Sequence, residues 1–234
     1  MLETLGFLLT IAALGDSVTV GPKPVRGRAP AAASAFVAIL GRQLGEPAIN
    51  AGVAGDTSRQ MLARLGKVLA PAPPRRARRP PPRVVLIMAG LNDAARVDPG
   101  AVALSEARVS EAEFEKNLTA IVEGVKKARA QPVLLTPNPM TRAYKYQNMP
   151  FYQENDINDG LAPYADATRR VARVTGACLV DIFGDWLARS DHRRLVSDGL
   201  HPNAEGHRLI AAKVMEACGA VVKPPGRGAA MKPK

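Results

Sequence analysis

The amino-acid sequence predicts an α/β fold in which helices cover both faces of a parallel sheet. Short apolar runs recur along the chain without polar alternation, as expected of strands that are buried on both faces. Segments with the 3.6-residue apolar period of a helix separate these runs. Because strands and helices alternate in this way, the sequence indicates parallel strands joined by right-handed helical crossovers.

Five apolar runs are the predicted strands. In chain order they are IAALG ending at Gly15, PAINAG, RVVLIMAG, PVLLTP and ACLVDIF. The predicted helices are PAAASAFVAILGRQLG, TSRQMLARLGKVLA, residues 110–130, YADATRRVARVTG and PNAEGHRLIAAKVMEACG. The helix over 110–130 has the strongest signal, because a capping box of Ser110 and Glu113 precedes a regular apolar stripe.

Length and composition are consistent with one globular domain. The chain has 234 residues, 47% of them hydrophobic, which is enough to bury a core. We assign residues 1–222 to the domain and 223–234 to a basic flexible tail, with a proline- and arginine-rich loop over 71–83. The formal net charge is +11, and the loop and tail concentrate positive charge. We interpret them as solvated segments and expect no nucleic-acid partner, because no stacking or groove-reading motif supports one.

The two cysteines and the N-terminus bear on cofactors and compartment. Cys178 and Cys218 lie in apolar runs without metal-ligand spacing, so we expect buried free thiols, no metal and no other cofactor. The apolar run LGFLLTIAAL lacks a preceding basic residue and a cleavage site, and it is too short to cross a membrane. We interpret it as part of the first strand and expect no transmembrane segment and a cytoplasmic location. The oligomeric state is left open.

Ser17 lies directly after the first predicted strand, in the tripeptide Gly15-Asp16-Ser17. In open parallel sheets ligands bind beyond the carboxyl ends of the strands, so the Ser17 hydroxyl is placed for chemistry. A serine acts as a nucleophile when a base lies within hydrogen-bond reach. The alternative is ordinary turn chemistry, in which Asp16 orders the turn.

Asp198 and His201 are the candidate partners of that serine. A histidine can take the serine proton, and a carboxylate can orient the histidine and stabilise its protonated form. Pro202 and Asn203 begin a helix, so His201 would lie at a corner between loop and helix. The alternative is a helix entrance that Asp198 and His201 merely cap. His207, on the same helix, is expected to pack or face solvent.

Gly55 and Asn92 are candidate donors to an oxyanion. Acyl transfer places negative charge on the former carbonyl oxygen, and preorganised N–H groups stabilise it. Gly55 can offer a backbone N–H that no side chain covers, and Asn92 can offer its amide. The alternatives are a turn at Gly55 and a helix cap at Asn92.

These residues fall into four blocks whose order and spacing resemble a known family. The blocks are Gly15, Asp16 and Ser17; Asn50, Gly52, Gly55, Asp56 and Thr57; Gly90, Asn92 and Asp93; and Asp198, His201 and Pro202. They resemble the GDS, N-x-G-x-x-G-D-T, G-x-N-D and D-x-x-H-P motifs of the SGNH hydrolase superfamily, the GDSL-type esterases and lipases. Val18 departs from the leucine or isoleucine of many relatives, and the α/β-hydrolase motif G-x-S-x-G is absent around Ser17.

The resemblance implies both a fold and a set of roles. The fold is a flavodoxin-like three-layer α/β/α sandwich around a five-stranded parallel sheet. The roles are Ser17 as nucleophile, His201 as base and Asp198 as its orienting residue. The oxyanion hole would comprise the backbone N–H groups of Ser17 and Gly55 and the side-chain amide of Asn92.

Four aromatic residues cluster after the fourth predicted strand, at the end of the sheet where the site is expected. They are Tyr144, Tyr146, Phe151 and Tyr152. Asn and Gln side chains alternate with them, a composition that suits a polar, ring-containing ligand better than a long acyl chain. A self-packed loop is the alternative to such a substrate wall.

The sequence therefore predicts a serine esterase whose partner is a small-molecule ester with a short acyl group. Acetyl esters of carbohydrates are one candidate class. A lysophospholipase or thioesterase of the same superfamily is the first alternative, although no long apolar insertion is evident. A non-catalytic basic binding protein is the second alternative, which the complete set of site residues opposes.

Overall fold

The computed structural model describes residues 10–22, 31–71, 80–196 and 198–223. Within these residues one sheet has five parallel strands in the order β2-β1-β3-β4-β5. The strands are β1 (Ile11–Gly15), β2 (Ala48–Gly52), β3 (Val84–Met88), β4 (Gln131–Leu135) and β5 (Cys178–Val180). This is the order of flavodoxin-like folds, so the predicted α/β fold is confirmed.

Helices cover the sheet on both sides. Those described are α1 (Ser17–Val20), α2 (Phe36–Leu44), α3 (Ser58–Leu69), α4 (Glu111–Lys127), α5 (Pro150–Glu154), α6 (Ala162–Thr175), α7 (Ile182–Leu187) and α8 (Ala204–Val222). Helices α3, α4 and α6 pack side by side, whereas α2 and α8 pack against each other. The two groups form the outer layers of the expected three-layer sandwich.

The strands that carry the site are buried. Every residue of β1 and β3 is buried, whereas the edge strand β2 is partly exposed. The largest fully buried side chains include Trp186, Phe36 and Phe114. Burying one large apolar side chain contributes roughly 1.5–3 kcal/mol, so the central strands give the loops that follow them a rigid base.

The fifth strand is shorter than its apolar run suggests. ACLVDIF was expected to be extended throughout, but the strand covers Cys178–Val180. The Asp181 carboxylate accepts a hydrogen bond from the Gly184 N–H at 3.1 Å and thereby caps α7. A local side-chain cap thus ends the strand where apolarity alone would extend it. The short helices α1 and α5 were also not predicted, since four or five residues carry no helical period.

The capping box predicted before α4 is half formed. Ser110 accepts a hydrogen bond from the Glu113 N–H at 3.3 Å, but the Glu113 carboxylate pairs with Arg59 of α3. A complete capping box instead begins α3, where Thr57 and Gln60 satisfy each other's N–H groups.

The expectation of free thiols is wrong. Cys178 in β5 and Cys218 in α8 form a disulfide with a Cα–Cα distance of 6.0 Å. The strand and the helix pack against each other, which brings together two residues 40 positions apart. The sequence contains neither a metal-binding motif nor a short cysteine spacing that would indicate such a pair.

Several expectations concern residues outside the described ranges. They include the start of the apolar N-terminal run, Pro30, most of the loop over 71–83 and the tail beyond Lys223. The division into a domain over 1–222 and a tail stays a prediction. In the described part of the chain, no helix combines the length and apolar character needed to cross a membrane.

Candidate active site

The carboxyl ends of β1, β2 and β3 bring three of the four sequence blocks together. β1 pairs with both β2 and β3, and Gly15 lies opposite Gly52 and Met88 in the two ladders. The chain leaves β1 for an edge strand and returns at β3 on its other side, so the crevice above β1 and β3 is the ligand position expected of this topology. Ser17 follows β1 directly, and Asn92 follows β3.

A tight turn presents Ser17. The Asp16 carboxylate caps α1 by accepting a hydrogen bond from the Val18 N–H at 2.9 Å, so it orders the turn as expected. A Cβ at Gly15 would lie 2.1 Å from Thr19 Oγ1 and 2.8 Å from the Met88 carbonyl oxygen. Only glycine therefore lets β1 turn this closely over its neighbour and project the serine hydroxyl above the sheet.

The hydroxyl of Ser17 meets a histidine and a carboxylate in series. Ser17 Oγ lies 2.9 Å from His201 Nε2, and His201 Nδ1 lies 2.8 Å from Asp198 Oδ2. Asp198 Oδ1 also accepts hydrogen bonds from the N–H groups of Leu200 at 3.1 Å and His201 at 2.7 Å. The carboxylate thus shapes its own turn and holds the imidazole ring that faces the serine.

The loop that carries His201 is fixed by main-chain contacts. Gly199 has φ +80°, and its carbonyl accepts a hydrogen bond from the Thr141 N–H at 3.0 Å. A Cβ at Gly199 would lie 1.9 Å from Tyr144 N, so the loop lies directly against the Tyr144 backbone. Asn203 then caps α8, as the predicted loop-to-helix corner requires.

Two backbone N–H groups of the sequence blocks have no hydrogen-bond acceptor in the described part of the chain. Within the described residues, neither the Ser17 N–H nor the Gly55 N–H donates a hydrogen bond. Gly55 has φ +85°, and a Cβ there would meet no atom within 4 Å. No neighbouring atom therefore crowds the backbone at Gly55, and its role as an oxyanion donor stays a prediction.

Asn92 is more engaged than the sequence suggests. Its Nδ2 donates to the Asp56 carbonyl oxygen at 3.0 Å and to Asp16 Oδ2 at 3.3 Å. Both amide hydrogens thus have acceptors, and a new oxygen would compete with the longer bond to Asp16. No pattern in the sequence indicates this link between the Ser17 turn and the third block.

Three carboxylates lie beneath these donors. Burial, reinforced by the nearby carboxylates of Asp93 and Asp56, raises the pKa of Asp16 to about 7. Burial also raises the pKa of Asp93, whose Oδ1 accepts a hydrogen bond from the Ser58 N–H at 2.9 Å. Asp56 pairs with Arg64 at 2.6 Å. Three buried carboxyl groups, those of Asp16, Asp56 and Asp93, therefore lie beside the site.

His207 packs in the core rather than facing Ser17. Its ring is fully buried, stacks on Phe36 at 6.1 Å between centroids, and accepts a hydrogen bond from the Phe36 N–H at 3.3 Å. Burial lowers the pKa of His207 to about 4, with a smaller contribution from His201. It is therefore neutral near pH 7 and serves packing.

The predicted aromatic wall is a self-packed cluster that also lines a cavity. Tyr144 makes edge contacts with Tyr146 and Tyr152 at 5.5 Å between ring centroids, and Phe151 makes one with Tyr152 at 5.3 Å. Tyr144 and Tyr152 are buried, and with Asn92 they border a cavity of about 30 Å³. Tyr146 and Phe151 are partly exposed.

Within the described residues, no group of three or more His, Cys, Asp or Glu side chains is placed to hold a metal ion.

Arg64 was not predicted as a site residue, because the sequence indicates only that it lies on a helix. Its guanidinium reaches Gly15, Ala51 and Asp56. An arginine two turns into a helix gives no signal of contacts to strand ends.

Known structures share the fold. A lipase/acylhydrolase from Enterococcus faecalis is 22% identical with a TM-score of 0.68, and the alignment covers 94% of this chain and 100% of that one. An acetyl xylan esterase, AlAXEase, is 20% identical with a TM-score of 0.64, covering 89% and 99%. A catalytic mutant of Axe2, an acetylxylan esterase from Geobacillus stearothermophilus, is 20% identical with a TM-score of 0.62, covering 93% and 97%.

The similar structures are too distant in sequence to show more than a shared fold. A family model assigns the chain to a family. A search of curated protein sequences finds no match. The model of the GDSL-like lipase/acylhydrolase family matches residues 13–209, a span that includes every block of the site. The chain belongs to the GDSL-like lipase/acylhydrolase family and is a hydrolase that acts on ester bonds.

Proposed function

We propose that this protein is a serine esterase for short acyl esters, with Ser17 as nucleophile, His201 as base and Asp198 as the residue that orients the base. The observation that carries the proposal is the continuous contact from Ser17 Oγ to His201 Nε2 and from His201 Nδ1 to Asp198. A nucleophile, a base and an orienting carboxylate in this geometry are the requirements of acyl transfer.

The reaction follows from these contacts. Ser17 Oγ attacks the ester carbonyl carbon as its proton passes to His201 Nε2, and Asp198 stabilises the resulting imidazolium. When the tetrahedral intermediate collapses, the C–O bond to the alcohol breaks and His201 returns the proton to the departing alkoxide. Water then gives a proton to the same nitrogen and attacks the acyl–Ser17 ester. The acyl–Oγ bond breaks, His201 returns the proton to Ser17 Oγ, and the carboxylic acid leaves.

Negative charge on the intermediate would meet the N–H groups of Ser17 and Gly55. Both lack other acceptors among the described residues, so they can bind an oxyanion without losing a bond. Asn92 would provide the third donor by exchanging its longer bond, to Asp16, for one to the oxyanion. Removing one such donor typically lowers kcat by about 10²–10³-fold.

A short acyl group is supported by the small cavity beside Asn92. Its volume of about 30 Å³ accommodates little more than a methyl group, and Tyr144, Tyr152 and Met140 line it. Each additional buried methylene would contribute roughly 0.8 kcal/mol only if apolar space were available for it. Among the described residues, this cavity favours a short acyl group over the longer acyl chain that the lysophospholipase and thioesterase alternatives would bind.

A polar alcohol is supported by the second opening near Gly55. A groove of about 760 Å³ is lined by charged side chains including Arg59, Arg96 and Arg108, together with Phe151. Arg108 Nη2 lies 3.5 Å from the Gly55 carbonyl oxygen, so the groove adjoins the proposed oxyanion hole. Two of the similar structures are named as acetyl xylan esterases. We therefore propose acetylated carbohydrates as the substrate class and no nucleic-acid partner.

For the compartment, the disulfide weighs against the cytoplasmic location expected from the sequence. Disulfides persist mainly in oxidising compartments, and Cys178 and Cys218 are bonded in this structure. Detection of the bond in protein isolated from its native cells, with thiols blocked at lysis, would distinguish the two locations.

A chain-length series tests the proposed function. Activity on acetyl, butyryl and octanoyl esters of one chromogenic alcohol should fall steeply as the acyl chain lengthens. Ser17→Ala should abolish hydrolysis of all three while leaving the thermal transition in place. A profile that rises through octanoyl would replace the proposal with the lysophospholipase or thioesterase alternative. Retention of more than about a tenth of the activity by Ser17→Ala would exclude Ser17 as nucleophile.

A further inference from the structure

One guanidinium connects three segments of the site. Arg64 Nη2 donates to the Gly15 carbonyl oxygen at 2.9 Å, Nη1 donates to the Ala51 carbonyl oxygen at 2.6 Å, and Nε donates to Asp56 Oδ2 at 2.6 Å. Gly15 ends β1, Ala51 lies in β2, and Asp56 follows Gly55. The side chain is 18% exposed, and that of Asp56 is 11% exposed.

The position of Arg64 on its helix explains this reach. Arg64 lies in the second turn of α3, and long helical side chains point back toward the helix N-terminus. That N-terminus follows the loop of Gly55 and Asp56 directly, so the guanidinium returns over the strand ends. Its planar fork can bind several acceptors at fixed angles, which an ammonium group cannot do.

We propose that Arg64 is a positioning residue, which sets the separation between the nucleophile turn and the oxyanion loop. The inference rests on the proposed function. Two of the three acceptors adjoin the segments that carry the proposed oxyanion donors, since Gly15 lies two residues before Ser17 and Asp56 one residue after Gly55. The N–H groups of Ser17 and Gly55 must both lie about 3 Å from one oxygen atom to stabilise it. The Nε, Nη1 and Nη2 groups of Arg64 donate to acceptors within the protein, so Arg64 acts on the reaction through the position of the backbone.

The alternative is that Arg64 only stabilises the fold. The two roles predict different turnover numbers for the enzyme that remains folded. Loss of a purely stabilising contact lowers the folded fraction but leaves turnover per active site unchanged. Loss of a positioning contact lowers kcat per active site, because a misplacement of about 1 Å can cost about 10²-fold. KM should change little, since the acyl cavity and the groove do not involve Arg64.

The test compares Arg64→Met with Arg170→Met, each titrated with a fluorescent phosphonate so that kcat is expressed per reactive Ser17. Arg170 is a matched control because it also holds several acceptors, Glu111 at 2.6 Å and Glu115 at 2.8 Å, but it joins α6 to α4 and contacts neither the Ser17 turn nor the Gly55 loop. Per-site kcat on an acetyl ester should fall roughly 10- to 100-fold in Arg64→Met, with KM within about threefold. It should be unchanged in Arg170→Met even if the Tm falls.

Arg64→Lys and added guanidinium complete the design. Lysine restores the charge but not the fork, so per-site kcat should recover only in part. Millimolar guanidinium should raise the per-site kcat of Arg64→Ala but not that of Arg170→Ala. The inference is overturned if every folded Arg64 variant matches wild-type kcat per site; should Arg64→Met fail to fold, Arg64→Lys decides by the same criterion. Failure of the proposed function is distinct, because wild-type protein would then lack a Ser17-dependent esterase activity altogether.

Discussion

Ser17 and His201 meet at 2.9 Å, but they belong to regions that are anchored in different ways. The side of the proposed nucleophile, here called the nucleophile side, comprises the loops after β1, β2 and β3. It rests on charged groups, since Asp16, Asp56 and Arg64 form hydrogen bonds within its turns. The base side, the loop over 198–203, combines the Asp198 carboxylate with close main-chain packing and caps. We therefore expect the base side to be the more sensitive of the two to added volume.

On the base side, Gly199 lies against the Tyr144 backbone, which leaves no space for a larger side chain. In Gly199→Ala the added Cβ would lie 1.9 Å from Tyr144 N at a backbone φ of +80°. We expect kcat/KM to fall by at least about 10²-fold, because the loop must move and carry His201 away from Ser17. Gly176→Ala is the matched control: φ is +69°, but a Cβ there meets nothing within 4 Å.

The control should lose only about 1–2 kcal/mol of stability from the left-handed backbone and keep its kcat/KM. Steady-state kinetics and thermal unfolding of both variants make the comparison. Equal activity losses in Gly199→Ala and Gly176→Ala would show that backbone strain, rather than the contact with Tyr144, fixes the base side.

On the nucleophile side, removal of a donor should act on turnover. Asn92→Ala should lower kcat by about 10²–10³-fold with little change in KM, as expected of an oxyanion donor. Asn117→Ala is a control, because that buried amide donates to Ser58 Oγ at 3.1 Å outside the proposed oxyanion hole. A change confined to KM would assign Asn92 to substrate binding instead.

The buried Asp16 carboxylate on the nucleophile side should also make the stability of the fold depend on pH. The folded-state pKa of Asp16 is about 7, above the 3.8 of an unperturbed Asp, so the folded protein binds the extra proton between these values. Stability from this group is therefore lost as pH rises from about 4 to 7, by up to roughly 4 kcal/mol.

Asp16→Asn removes this titration while keeping a capping oxygen. The variant should gain stability relative to wild type at pH 8 and little at pH 4. Because the lowered pKa of His207 gives an opposite slope in acid, the difference between the two proteins is the quantity to follow by thermal unfolding across pH. A difference that does not vary with pH would remove Asp16 from the pH response.

The disulfide lies outside both regions and should affect turnover least. Replacing Cys178 and Cys218 together with serine should lower stability by about 4 kcal/mol, the chain-entropy value for a loop of this length. At temperatures where both proteins are folded, kcat should be unchanged. A fall in kcat there would mean that α8 transmits the loss to His201.

The two regions also differ in how far the sequence predicts them. Strand ends place Ser17, Gly55 and Asn92 in one crevice by topology alone, and the spacing of Asp198 and His201 fits one turn. The contacts that fix those residues are long-range and carry no local pattern. Arg64 to Gly15, Gly199 to Tyr144 and Cys178 to Cys218 are examples. The short helices escaped prediction for a simpler reason, since so few residues show no helical period. Single side chains, Asp16 and Asp181, cap α1 and α7, whereas α5 begins without a side-chain cap.

The most direct test of the account is a double-mutant cycle on Ser17 and His201. Ser17→Ala and His201→Ala should each lower kcat by about 10⁴–10⁶-fold, and the double variant should be no slower than the slower single variant within about threefold. That result is expected if the serine and the histidine act as one unit through their 2.9 Å contact. Losses that multiply in the double variant would show that the two residues act independently, and the proposed mechanism would be wrong.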